Sequence, residues 1–198
     1  IIIVDCGIKF PDESMLGIDL VIPDMSYLVK NKGIIRGLII THGHEDHIGA
    51  VPYLLKNIGT IPIYGAKLPL VLIENKLNEH KLTKLARFHF VEPKDVINLG
   101  PFKIEFVRVC HSIPDAFALL IKTPVGSIFH TGDFKIDYTP VDSQTIDLNR
   151  IGEIGDEGVS LMMSDSTNAD IPGSTPSERL VGENLNRFFS SSQGRIII

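Results

Sequence analysis

Seven consecutive residues after a short apolar run constrain this chain more than any other stretch. Residues 41–47 read Thr-His-Gly-His-Glu-Asp-His. In an extended segment His42 and His44 point the same way, because side chains repeat every two residues. Asp46 and His47 then begin a predicted helix and face a nearby point. Since imidazoles and carboxylates are good ligands for Zn²⁺, Mn²⁺ or Fe, the stretch predicts a metal site, with room for two ions, where a buried strand ends.

The hydrophobic pattern predicts many strands interleaved with helices. Strands are expected at 1–6, 34–41, 62–65, 88–91, 96–99, 102–109, 116–123, 127–131 and 159–164. Helices are expected at 26–30, 47–58, 67–82 and 147–154, and from Thr175, as the capping residue, to about residue 190. This mixture indicates a layered α/β domain with at least one mostly antiparallel sheet.

Further candidate ligands stand at the ends of later predicted strands. His111 follows the strand at 102–109, and Asp133 follows the strand at 127–131. Gly132 lets the backbone turn tightly, which brings the Asp133 carboxylate close to a ligand. With one oxygen for each metal, Asp133 can bridge two ions.

Two more aspartates end buried strands. Asp5 is expected to orient the histidine loop by accepting hydrogen bonds, with a simple turn aspartate as the alternative. Asp165 is expected to support the ligands or to lie near the substrate, although it could also just cap the next turn.

Other polar residues are assigned structural roles. His80, His89 and His130 are expected outside the ligand set. Lys135 is expected to be a solvated loop lysine, with contact to a phosphate as the alternative. The two cysteines are interpreted as small buried hydrophobes in a reducing compartment; a disulfide or a thiolate ligand is the alternative.

Composition sets broad limits on function. The 198 residues, 43% of them hydrophobic, are enough to bury a core. A net charge of −5 argues against a nonspecific nucleic-acid coat but not against a nucleic-acid substrate, since bound dications can focus a positive field. Both ends read as strands, at 1–4 and at 195–198, so we expect the chain to be a piece of a longer protein.

The order of these motifs is similar to that of the metallo-β-lactamase superfamily. The pattern His-x-His-x-Asp-His at 42–47, then a lone histidine, then Gly132-Asp133 carries the resemblance, which covers nearly the whole chain. It implies an αββα sandwich and a hydrolase. The shared motif alone does not separate β-lactamases, glyoxalase II-type thioesterases, tRNA 3′-processing enzymes and nucleases.

Flanking loops resemble one branch of that superfamily, the β-CASP nucleases, and within it bacterial ribonuclease J. The matching stretches are 5–7, 15–19, 22–24, 111–115, 132–135 and 164–169. The resemblance implies a metallo-β-lactamase-like domain at 1–168 and the start of a β-CASP domain at 169–198.

The resemblance also implies a ligand set. One Zn²⁺ would lie on His42, His44 and His111, and a second on Asp46 and His47, with Asp133 bridging them; Mn²⁺ or Mg²⁺ is the alternative metal. Asp46 and Asp133 would be catalytic, Asp165 would be the carboxylate of the first β-CASP motif, and Asp5 a supporting aspartate. The family's last histidine ligand follows the inserted domain, so little or no activity is expected of this piece alone.

The implied function is cleavage of RNA, both 5′-to-3′ from its end and internally, in RNA maturation and decay. A cytoplasmic protein that forms a homo-oligomer at full length, without a membrane association, is expected. The alternatives are another hydrolase of the superfamily, acting on a thioester, a lactam or a tRNA 3′ end, and a non-catalytic fold that binds metal for structure.

Overall fold

The strands of this chain form two sheets that pack face to face between helices. The computed structural model describes residues 1–197, so Ile198 lies outside the described residues. The strands are β1 Ile3–Val4, β2 Leu38–Ile39, β3 Ile61–Gly65, β4 Ala86–Phe90, β5 Val96–Leu99, β6 Phe102–Val109, β7 Ala116–Thr123, β8 Gly126–His130 and β9 Leu161–Met163. The helices are α1 Ser26–Lys30, α2 Glu45–Ile48, α3 Val51–Ile58, α4 Lys67–Glu79, α5 Leu148–Glu157 and α6 Glu178–Ser191.

The first sheet is parallel throughout, in the order β1-β2-β3-β4. Each connection between its strands contains a helix, as parallel pairing requires. Leu38 of β2 pairs with both Ile3 and Ile63, which places β2 inside the sheet. Helices α1, α3 and α4 cover the outer face, where Leu54 and Leu55 of α3 are fully buried.

The second sheet is mostly antiparallel, in the order β5-β6-β7-β8-β9, and only β9 joins it in parallel, after α5. Alternate residues of β7 serve different layers, since neighbouring strand residues face opposite sides. The residues that pack toward the first sheet are Phe117, Leu119 and Ile121, and those that pack toward α5 are Ala116, Ala118 and Leu120. The four layers form the predicted αββα sandwich, and the prediction of a mostly antiparallel sheet is also confirmed.

The predicted helix at 47–58 is wrong in one respect, because the structure breaks it into α2 and α3. The break has a long-range cause. The backbone of Cys6 donates to the His47 carbonyl at 2.7 Å and accepts from the Ala50 amide at 2.9 Å. These bonds replace helical ones at the break, and Pro52 then occupies the first turn of α3, where its missing N–H costs nothing.

Other predicted element ends also shift. The strands at 1–6 and 34–41 shorten to two residues each, because Asp5 turns with a φ of 58° and residues 32–34 form a 3₁₀ turn. Helix α6 begins at Glu178, and its cap is Ser177 rather than Thr175, since the Ser177 hydroxyl accepts from the Arg179 amide. The strand predicted at 195–198 is not formed over 195–197, and its last residue lies outside the described part.

Membrane association can be checked directly over residues 1–197. Among these residues, no helix combines the length and the hydrophobicity that crossing a lipid bilayer requires.

The packing between the sheets predicts the effect of one substitution. Phe106 is fully buried and meets Phe117 edge to face, with ring centroids 5.4 Å apart. Phe106→Ala should lower the free energy of unfolding by about 3–5 kcal/mol, because it leaves a cavity that the sheets cannot close. Phe10→Ala is the matched control, since Phe10 is 64% exposed. Equal thermal shifts for the two variants would contradict this account of the core.

Candidate metal centre

Strand ends from both sheets meet at one edge of the sandwich. Asp5 follows β1, residues 41–47 follow β2, His111 follows β6, Asp133 follows β8 and Asp165 follows β9. The ends of the parallel strands lie at the same edge, which is where open α/β sheets place their ligand sites. The structure therefore brings together the side chains that the sequence singled out.

Three histidines converge on one another. His44 Nδ1 lies 3.1 Å from His42 Nε2 and 3.1 Å from His111 Nε2. Tetrahedral Zn²⁺, with Zn–N distances of about 2.0–2.1 Å, separates its ligand nitrogens by about 3.3 Å. The three imidazole nitrogens therefore have the donor set and approximately the spacing of a cation site.

A second group shares a histidine with the first. Ligand atoms of His42, His47 and Asp133 all lie within 4.8 Å of one another. Asp133 Oδ2 is 3.4 Å from His47 Nε2, 3.7 Å from His111 Nε2 and 3.8 Å from His42 Nε2. One carboxylate thus faces both groups. Asp46 lies at the margin, with Oδ2 3.8 Å from His47 Nε2 and its side chain 64% exposed.

The Asp5 carboxylate holds the histidine loop through hydrogen bonds to Thr41 and His47. Its carboxylate accepts from the Thr41 amide at 2.8 Å and from the Thr41 hydroxyl at 2.7 Å, and it lies 2.8 Å from His47 Nδ1. The same hydroxyl lies 3.0 Å from His42 Nδ1 and is free to accept its proton. With both Nδ1 atoms carrying protons, Nε2 of His42 and of His47 is left as the electron-pair donor.

Thr41 is a residue that the sequence analysis missed. Its hydroxyl donates to Asp5 and accepts from His42, so it transmits the orientation of one to the other. Its position just before the first histidine was the available signal, but a hydroxyl's partners cannot be read from spacing.

Close backbone approach explains two glycines of the site. A Cβ on Gly7 would overlap the carbonyl of Asp46, because the backbones of the two segments touch there. Gly132 has a φ of 56°, a conformation that glycine adopts without strain, and a Cβ there would lie 2.6 Å from the Phe117 carbonyl oxygen.

The turn that carries Asp133 is fixed by its neighbours. His130 Nδ1 accepts from the Gly132 amide at 3.0 Å, and the Thr131 hydroxyl donates to the Gly132 carbonyl at 2.7 Å. The Thr131 hydroxyl also accepts from the Asp165 amide at 2.9 Å, which joins this turn to the end of β9. Neither group of converging side chains in the described part of the chain includes His130, which braces the turn instead.

Burial and charge shift the imidazole pKa values in opposite directions. Burial, together with the neighbouring histidines, lowers the pKa of His42 to about 2, and burial also lowers the pKa of His111. Burial works against protonation of His47 too, but the hydrogen bond to Asp5 and the charge of that carboxylate raise its pKa. His42 and His111 therefore stay neutral, as metal ligands must.

Asp165 stands beside this group. Burial opposes ionisation of Asp165, yet amide hydrogen bonds from Thr167 and Phe134 and the nearby His111 hold its pKa below the usual range. Its carboxylate lies 2.8 Å from the Thr167 amide, as a turn cap does, and 3.5 Å from the Phe134 amide, so it also supports the Asp133 segment.

The expectation for Lys135 was wrong. Its side chain is only 14% exposed, with Nζ 2.5 Å from Glu178 Oε1 and 3.8 Å from Asp137 Oδ2. Two carboxylates compensate the charge of this largely buried lysine, one from Asp137 two residues along the chain and one from the distant Glu178. The lysine thereby attaches the start of α6 to the segment after Asp133.

Cys6 and Cys110 are free and buried, which agrees with the prediction that the two cysteines are small buried hydrophobic residues. Burial, with the Asp5 charge, raises the pKa of the Cys6 thiol to about 12. A thiolate ligand at Cys6 is disfavoured on this ground.

A cavity of about 960 Å³ opens beside the cluster. Its wall includes His111, Phe90, Lys67 and Arg108 and several carboxylates. The volume is in the range of small-molecule sites, so a substrate group next to the histidines has space.

Comparison with known families gives one matching model. Residues 1–142 match the model of the metallo-beta-lactamase superfamily.

Curated relatives match over the whole chain. It is 45% identical over 199 residues to Ribonuclease J of Synechocystis sp., covering 31% of that protein. It is 48% identical to Ribonuclease J of Helicobacter pylori over 198 residues and to Ribonuclease J 1 of Streptococcus pyogenes over 197 residues, covering 29% and 35% of them. In each case all of this chain is covered, so it spans about a third of the length of these relatives.

Solved structures share the fold at lower identity. A protein of unknown function from Enterococcus faecalis V583 superposes with a TM-score of 0.63 at 18% identity, over 98% of this chain and 53% of that one. The metallo-beta-lactamase fold protein YhfI from Bacillus subtilis superposes with a TM-score of 0.50 at 20% identity, over 69% of this chain and 51% of that one.

The contact between Gly7 and the histidine loop yields a prediction. Gly7→Ala should weaken binding of a divalent ion to the cluster by about 10-fold or more, because the added methyl group displaces the loop that carries the ligands. Gly33→Ala is the matched control, since a Cβ there meets open space among the described residues. Isothermal titration with Zn²⁺ measures both. Unchanged affinity in Gly7→Ala would show that the close approach does not set the loop.

Proposed function

The chain belongs to the metallo-beta-lactamase superfamily, and from this premise we propose that the protein containing it is a metal-dependent ribonuclease of the ribonuclease J type. Its reaction is hydrolysis of RNA phosphodiester bonds, processively from the 5′ end and also internally, in RNA maturation and decay. Identities of 45–48% over the whole chain to proteins named Ribonuclease J support this assignment.

We propose that the histidine cluster holds two divalent ions. His42, His44 and His111 would hold one, Asp46 and His47 the other, and Asp133 would bridge them. The observation that carries the proposal is the position of Asp133 Oδ2, within 3.4–3.8 Å of imidazole nitrogens from both groups. A single structural ion would not need a carboxylate shared in this way.

The donor set favours Zn²⁺ at the three-histidine group, because imidazole suits zinc better than it suits Mg²⁺. Mn²⁺ or Mg²⁺, the alternative metals, would suit the group that contains the carboxylates better than the three-histidine group. Zinc in both positions is the proposed state, and metal analysis of the purified protein identifies the native ion.

Different residues of the chain have different roles in the proposed hydrolysis. When bound, a pair of divalent ions lowers the pKa of water and neutralises charge on phosphoryl oxygens. Asp5 and Thr41 hold the imidazoles in the tautomer that presents Nε2. Asp46, the most exposed carboxylate of the group, is placed to take up a proton from the attacking water and pass it to solvent, while Asp133 keeps the two ligand groups in register.

We propose a domain boundary near residue 168. The pairing of β8 with β9 extends the second sheet to Met163, beyond the residues that match the family model. Helix α6 follows the proposed boundary and is mostly exposed. It would begin the β-CASP domain at 169–198, of which Ile198 is not described. The homo-oligomeric state and the cytoplasmic location expected from the resemblance stay predictions.

The proposed reaction is tested on the full-length protein. His44→Ala should lower the rate of cleavage of 5′-monophosphorylated RNA by more than about 100-fold, since a ligand is removed rather than merely reoriented. His80→Ala is the control, because His80 lies at the end of α4 against Tyr53. Label at the 5′ end and circular RNA report exonucleolytic and endonucleolytic cleavage separately.

Two results would contradict the proposal. One is a metal-loaded wild-type protein that leaves both RNAs intact but hydrolyses a thioester or a lactam. The other is a His44→Ala variant as active as His80→Ala.

The pKa shifts predict the order in which acid releases the ions. The pKa of His47 lies above its usual value, so protons displace an ion there first as the pH falls. His42, with a pKa of about 2, stays a ligand at much lower pH. Dialysis in steps downward from about pH 8 should remove metal in two stages, the first near or above the ordinary histidine pKa of about 6.5 and the second at much lower pH, measured as metal bound per chain. Release in one stage would argue against two groups of different acidity.

A further inference from the structure

We propose that Asp115 is a positioning residue for the three-histidine group, acting through the N-terminus of helix α4. This inference rests on the proposed function, since it concerns the same metal site. Asp115 does not contact the histidines. It is the last residue of the loop between β6 and β7, the loop that begins with Cys110 and His111.

The loop is attached to α4 through the Asp115 side chain. Asp115 Oδ2 accepts a hydrogen bond from the Leu68 amide at 3.3 Å, in the first turn of α4. The N-cap position of this helix is Ala66, whose methyl group cannot accept a hydrogen bond. Helix N-termini leave several amides to be satisfied from elsewhere and favour a negative charge, and Asp115 supplies both.

The first half of α4 also touches the histidine motif. Gly43, between His42 and His44, has almost no free space, because a Cβ there would lie 2.9 Å from Leu72 Cδ1 and 3.4 Å from the Cα of Pro69. Both of these residues belong to the first half of α4. The helix therefore presses against the backbone from which two of the three histidines project.

Ile113 also packs against Gly43. Its Cδ1 lies 3.4 Å from the Cβ position of Gly43, so the loop that carries His111 also packs against the histidine motif. The first half of α4 thus contacts both segments, through Asp115 on one side and Gly43 on the other. It sets the His44–His111 separation, which is 3.1 Å between ligand nitrogens.

The backbone conformation at position 115 limits which residue types fit there without strain. Its φ of 62° lies in the left-handed region, which aspartate and asparagine tolerate better than other side chains do. Asp115→Asn keeps both an oxygen acceptor and this tolerance. Asp115→Gly keeps only the conformation, and Asp115→Ala keeps neither, so the three variants separate the cap from the turn.

The experiment titrates the metal-free full-length protein with Co²⁺ and follows the visible absorption band of the tetrahedral site. Asp115→Ala and Asp115→Gly should bind Co²⁺ about fivefold more weakly at this site, which is the effect of losing one helix cap of typical strength. Their band should also shift, because His111 is no longer held at the same angle. Asp115→Asn should recover most of the wild-type affinity and the wild-type band, because it keeps the oxygen acceptor and loses only the charge.

Asp147→Ala is the matched control. Asp147 caps α5 by accepting from the Arg150 amide at 3.0 Å, and α5 packs on the other side of the molecule from α4. Its loss should lower thermal stability and leave the Co²⁺ band unchanged.

The Co²⁺ titration distinguishes failure of the metal site from failure of the positioning role of Asp115. A wild-type protein that binds no Co²⁺ overturns the metal site and this inference with it. A wild-type protein that binds Co²⁺, with Asp115→Ala identical in affinity and spectrum, overturns the inference alone. Full restoration by Asp115→Gly also overturns it, because the turn conformation rather than the cap would then position His111.

Discussion

The backbone contact between residues 5–8 and the histidine loop is the constraint on which the rest of the site depends. Cys6 donates to the His47 carbonyl and accepts from the Ala50 amide, and Ile8 donates to the Glu45 carbonyl at 3.1 Å. These bonds break the helix after β2 into two pieces and aim the first piece at the sheet edge. The adjacent Asp5 carboxylate then fixes the ring orientations. Backbone path and ligand direction are thus determined by one short segment.

The protonation of the histidines at this edge of the sandwich follows from the position of Asp5. A buried histidine among other histidines stays neutral, whereas the one beside Asp5 attracts a proton. Buried polar groups are costly unless they are paired, so ring nitrogens that face one another at 3.1 Å favour a bound cation between them. Membership of the metallo-beta-lactamase superfamily is consistent with that reading.

Local signals predicted some elements with their bounds intact, and long-range contacts decided the others. Strands β5, β6 and β7 have the predicted ends, because turn residues such as Gly100 and Pro101 mark them locally. The ends of β1 and β2 depend on the turn at Asp5 and on a 3₁₀ turn, and the break between α2 and α3 depends on Cys6, which is far away in sequence. No local pattern contains that information.

The candidate site shows the same division. Ligand-type residues at strand ends were recognisable from their spacing, and the structure brings them together. The bracing by Thr41 and His130 was not predictable, because a hydroxyl or a ring nitrogen shows its partner only in three dimensions. The burial of Lys135 was missed for a similar reason, since its partner Glu178 lies 43 residues along the chain.

The division of the ligands between two sheets has a consequence for how this chain holds together. His42, His44 and His47 come from the parallel sheet, whereas His111 and Asp133 come from the antiparallel one. An ion bound by both sets, as we propose, would join the two layers across their interface, much as a disulfide joins two segments. Its affinity would then be part of the folding free energy of the sandwich, and the layers would gain this cross-link only after both have formed.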